Sequence, residues 1–100
     1  MPEVTIVYWR DIPAQVIVRK GRQNAKRELP LRFTEAIDMA AMRSGAAETD
    51  AYLSEWRKAD PVPVGDDLEA EAAKAAAEID AQYDRERLVA LAKAGGKADV

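Results

Sequence analysis

The sequence predicts a small α+β domain: an N-terminal antiparallel sheet, built from a β-hairpin and a short third strand, packed with three C-terminal helices. Two observations carry this reading. Residues 4–9 (VTIVYW) are β-branched and aromatic and alternate between two faces, whereas from Phe33 onward the apolar spacing turns helical. The length of 100 residues then confines both halves to one core.

The first strand, Val4–Trp9, places Val4, Ile6 and Tyr8 on one side and Thr5, Val7 and Trp9 on the other. Arg10, Asp11, Ile12 and Pro13 interrupt it, because proline lacks a donor and an aspartate bonds its nearby backbone. A second strand resumes over Ala14–Arg19. Its consecutive Val16, Ile17 and Val18 imply cover on both faces, supplied by helices. Gly21 and Asn24 mark a turn, and Lys26–Leu29, closed by Pro30, supplies a short third strand at an edge.

In the first helix Thr34 is the expected cap, Phe33, Ile37, Ala40 and Ala41 form the buried stripe, and Gly45 ends the run. Tyr52, Leu53 and Trp56 have the spacing of a core-facing stripe on a second helix, stopped by Asp60 and Pro61. The two prolines of residues 61–65 impose an extended connector. A third helix runs from Leu68 to about Ala94, uninterrupted by glycine or proline, with Asp66 and Glu69 at capping-box spacing. Its first half should dock, while its second half, with Leu88, Val89 and Leu91, projects or meets another chain, a second copy included. The domain is expected over residues 1–94, with 95–100 a flexible tail.

Cysteine and histidine are both absent, which removes disulfides, thiolate nucleophiles and the usual base of a catalytic triad. Asp11 beside Arg10 is a single carboxylate, and the acidic start of the third helix lacks the spacing of a calcium loop. The expectation is therefore a protein that is not an enzyme, with no catalytic, cofactor or metal residues. No stretch is long and apolar enough to span a bilayer, and the N-terminus lacks the pattern of a signal peptide, so the cytoplasm is the expected compartment.

The candidate partner-binding residues are Trp9, Arg10 and Asp11, together with a basic hairpin edge of Arg19, Lys20, Arg22, Lys26 and Arg27. Adjacent aromatics on a strand point to opposite faces, so core packing of both Tyr8 and Trp9 competes with exposure of one as a partner anchor. The basic run reads equally as a solvated edge guarded against aggregation. The acids of the third helix likewise read as complementary docking or as a solvated face.

The segment Val7-Tyr8-Trp9-Arg10-Asp11-Ile12-Pro13-Ala14-Gln15-Val16, followed by Tyr52-Leu53 and Trp56-Arg57, resembles a small bacterial family known as "virulence factor". The resemblance extends from the first strand into the third helix. It implies a short alphaproteobacterial protein of undefined biochemical role, associated with corrinoid- and folate-dependent methyl-transfer enzymes as an accessory. No catalytic residue comes with it.

The leading expectation is a non-enzymatic interaction or accessory module for a protein partner. One alternative is a small anionic ligand, such as a folate or a corrinoid phosphate, held by Arg19, Arg22, Lys26, Arg27 and Arg32. Sequence-independent nucleic-acid binding by the same edge is weaker, because no RNA-recognition, zinc-finger or phosphate-loop signature accompanies it.

Overall fold

The computed structural model describes residues 2–45 and 48–97, with only the backbone at Thr49. Strands β1 (Glu3–Trp9), β2 (Ile12–Lys20) and β3 (Gln23–Glu28) are followed by helices α1 (Leu31–Arg43) and α2 (Thr49–Ser54). Short strands β4 (Trp56–Lys58) and β5 (Val62–Pro63) come next, then α3 (Leu68–Gln82) and α4 (Arg85–Lys93). The sheet is antiparallel in the order β3-β2-β1-β4, with β5 also pairing β1. The α+β class and the hairpin-plus-third-strand layout agree with the sequence.

The hairpin turn is tighter than expected. Trp9 pairs with Ile12, so only Arg10 and Asp11 form the loop, and Pro13 belongs to β2. Proline is tolerated in this central strand because the register slips between Val7 and Tyr8, and Pro13 sits opposite Tyr8 at that irregularity. Val4, Val18 and Ala25 align across the strands, as do Ile6 and Val16, and this face belongs to the core cluster. Helix α3 lies over it with Ala72 and Ile79 buried, its alanines letting backbone approach strand. On the other face Ile17 is 5% exposed and shares a hollow with Thr5, Lys58, Ala59 and Pro61.

Four helical expectations are corrected. Thr34 lies inside α1; the N-cap position is Pro30, whose carbonyl accepts from Phe33 N, with no side-chain cap. Helix α2 ends at Ser54, so Trp56 is on strand β4, beside Trp9, and Leu53 is 60% exposed. Asp67, not Asp66, caps α3 by accepting from Ala70 N. The expected long third helix is two: it breaks at Tyr83, and Asp84 caps α4 by accepting from Arg87 N.

That break lets α4 fold back on α1. Leu88, Leu91 and Ala92 are buried, and the opposing stripe is Phe33, Ala36, Ile37, Ala40 and Ala41. The expected projecting half is thus part of the core, with Val89 partly exposed. The connector of residues 61–65 is extended as expected, but it also adds β5 to the edge of β1.

Candidate functional site

The two segments that carried the family resemblance meet at the hairpin end of the sheet. Trp9 is wholly buried and donates its indole N–H to the Tyr52 carbonyl at 2.9 Å. The same carbonyl accepts from Glu55 N at 3.3 Å, a long bond at the helix end, so the indole adds a second and shorter bond there and fixes the ring. The Tyr52 ring lies between Trp9 (centroids 5.7 Å) and Trp56 (5.8 Å, edge-on). Burial raises the Tyr52 phenol above its ordinary pKa, and Asp38 adds to the rise.

Arg10 takes a positive φ of 55°, a conformation costing roughly 1–2 kcal/mol for an L-residue. Its surroundings hold it there. Its backbone N–H donates to Glu55 O at 3.1 Å, and Nη1 donates to Gly95 O at 2.7 Å. Nη2 donates to Glu55 Oε1 at 3.4 Å, whereas Nε, 3.3 Å from Oε2, makes an ion contact without hydrogen-bond alignment. Asp11 N donates to Gly96 O at 2.8 Å, so the chain end is stitched to the hairpin turn. The tail expected from residue 95 therefore excludes the two buried glycines, and residues 98–100 lie outside the described residues.

Alternation puts Tyr8 on the face opposite Trp9, half-buried in a cleft of about 310 Å³ lined also by Asp11, Arg57, Ala59, Tyr83, Arg87 and Leu91. Arg57 from β4 lies over the Tyr8 ring, Cζ to centroid 4.6 Å, and Arg87 from α4 over Tyr83 at 4.1 Å. Arg57 donates from Nε to Arg10 O at 2.8 Å and from Nη2 to Asp11 Oδ1 at 3.2 Å. Arg87 donates from Nη1 to Gln82 O at 3.0 Å. Burial raises the Tyr8 phenol above its ordinary pKa; Tyr83 reinforces the rise, Arg57 opposes it and Asp11 adds to it. Tyr8 is therefore a neutral hydroxyl donor at physiological pH.

The candidate residues of the sequence analysis divide three ways. Trp9 is corrected: with no exposed surface it is a core residue and cannot anchor a partner. Arg10 and Asp11 are half-buried and tied to the chain end and to Arg57. The basic edge does form along β2, β3 and their turn, but two of its cations are matched within the chain, Lys20 to Asp66 at 3.5 Å and Arg27 to Glu69 at 3.7 Å. Arg19 faces Glu3 across the strands, and Arg22 and Lys26 are exposed. Arg32 is drawn away from that edge to the end of α3, where it pairs with Asp80 and donates to Tyr83 O at 3.2 Å.

Sequence reading missed the cleft. Tyr8, Arg57, Tyr83 and Arg87 come from β1, β4, the break between α3 and α4, and α4, and the visible signal was only that Arg57 accompanies Trp56 in the resemblance. Among the described residues no group of carboxylates is arranged to hold a metal ion, and no helix is long and apolar enough to cross a membrane.

Fold and site together define a small α+β domain organised around an aromatic and arginine cluster at a hairpin turn. The chain belongs to the family described as "Virulence factor", whose model matches residues 7–92, a span that begins inside β1 and ends in α4. No curated protein and no solved structure matches the chain.

Proposed function

We propose that this chain is a non-enzymatic interaction module that receives an amphipathic helix of a partner protein along the outer side of α1. One observation carries the reading: α1 has a second apolar set facing away from its core, with Leu31 71%, Met42 75% and Met39 44% exposed. Helical spacing puts Leu31, Glu35, Asp38 and Met42 in one row about 16 Å long. Beside it, Met39, Ala36, Leu88, Val89 and Ala92 form the apolar floor of a groove between α1 and α4 of about 130 Å³, with Arg32, Glu35 and Arg85 also in its lining. Methionines suit such a surface because their flexible thioethers adapt to a partner's shape.

Glu35 and Asp38 lie within the row, and neither joins an ion pair among the described residues. The fitting partner is thus a helix whose apolar stripe carries lysine or arginine on the side that meets Glu35 and Asp38 and an acidic residue on the side that meets Arg85.

The test replaces Leu31 and Met42 together by lysine, which leaves the buried stripe intact. Cross-linking in native cells should capture a partner with the parent chain and lose it with the variant, while circular dichroism of the two coincides. Sedimentation shows whether a second copy is that partner. Equal capture by both chains, or none by either, refutes the proposal.

A further inference from the structure

We infer that the cleft between the two arginine–tyrosine stacks is a binding site for a small organic anion, recognised through a phosphate or carboxylate group. The inference is independent of the helix-binding face, since α1 contributes no residue to this cleft.

Two guanidinium groups from different elements line one hollow, each braced on a phenol ring, and the one carboxylate among the lining residues is Asp11. The cleft therefore carries a net formal charge of one positive unit. Arg57 commits Nε and one Nη2 contact to protein oxygens, and Arg87 commits one Nη1 contact, out of five N–H donors per guanidinium. The remaining donors line a space near the small end of the range for ligand pockets, about 300–1,000 Å³. Arginine suits this role better than lysine, because its planar fork meets two oxygens of one oxyanion and its weak hydration lowers the cost of stripping water.

The phenols contribute in two ways. Contact with the ring restrains each guanidinium, so less side-chain entropy is lost when a ligand arrives. The Tyr8 hydroxyl, neutral at physiological pH, offers a further donor to the anion. Leu91 supplies an apolar wall for the ligand's carbon skeleton.

The test is a titration of the full chain with inorganic phosphate, phenyl phosphate and benzoate at constant ionic strength, followed by NMR of arginine Nε–H and backbone amide signals. Saturable shifts should centre on Tyr8, Arg57, Tyr83, Arg87 and Leu91, with millimolar affinity for inorganic phosphate and tighter binding of an aromatic probe. If phenyl phosphate binds more tightly than benzoate, the recognised group is phosphate; the reverse order assigns carboxylate. Arg87→Gln, which removes no ion pair within the described residues, should weaken binding at least roughly tenfold, about 1.4 kcal/mol. Arg22→Gln on the hairpin edge should change nothing. Shifts centred on the edge, equal affinity of the Arg87 variant, or no saturation by about 100 mM of any probe, a far weaker binding than a millimolar site, would overturn the inference.

Discussion

Gly96 sits in the stretch that sequence alone assigns to a tail, yet replacing it by alanine should be among the most damaging small changes in the chain. A Cβ there would lie 2.9 Å from Trp9 Cζ3, 3.2 Å from Cε3 and 3.3 Å from Arg10 Cδ. The indole cannot yield, because the ring is fully buried and its N–H is held by the Tyr52 carbonyl. The backbone φ of 89° adds about 1–2 kcal/mol for any L side chain, and overpacking a filled core adds about 1–3 kcal/mol. The sum is about 2–5 kcal/mol, a large share of the roughly 5–15 kcal/mol that holds a domain of this size.

Urea and thermal unfolding measure the loss, and each kcal/mol should lower Tm by about 4–8 °C. Gly21→Ala is the internal control: φ is 59° there and nothing lies within 4 Å of the added carbon, so only the backbone cost applies. The steric part is the difference between the two variants. If Gly96→Ala costs no more than Gly21→Ala, the packing of the chain end on Trp9 is refuted.

Trp9→Phe should lose about 2–4 kcal/mol, from the smaller ring and from a Tyr52 carbonyl left without its indole donor; urea unfolding checks this, and a variant as stable as the parent would contradict the buried contact. The phenols of Tyr8 and Tyr52 both titrate above their ordinary value in the folded chain. Folding then binds their protons more tightly, so their stabilisation is complete below the unfolded pKa of about 10 and falls as pH rises from there through the raised folded values. The slope of stability against pH above 10 should be shallower in Tyr8→Phe than in the parent, and identical slopes would show that burial does not act on this phenol.

Much of the fold was legible because it rests on local pattern. Period-2 alternation in β1, the consecutive apolar residues of β2 and the helical spacing after Phe33 each follow from near neighbours along the chain. Gly45 at the end of α1, with φ of 75°, belongs to the same class of signal. The errors fall where a distant partner outweighs local preference. Trp56 has helical spacing from Tyr52, but pairing with Trp9 on the edge of β1 draws it into a strand. Residues 68–94 contain no helix breaker, yet α4 buries Leu88 and Leu91 only by turning at Tyr83, and the Asp84 cap offsets the broken backbone hydrogen bonds.

By itself, the sequence determined the class of fold, an N-terminal hairpin with its turn after Trp9 and the absence of thiol and imidazole side chains, since these depend on composition and on neighbours a few residues apart. Tertiary structure alone decided that Trp9 is core and not anchor, that acids at the start of α3 neutralise part of the basic edge, and that Gly96 closes over the indole. It also assembled the arginine–tyrosine cleft from β1, β4, the break after α3 and α4. Periodicity specifies which face of an element turns inward; which elements then meet depends on contacts between residues tens of positions apart, and no local pattern encodes those.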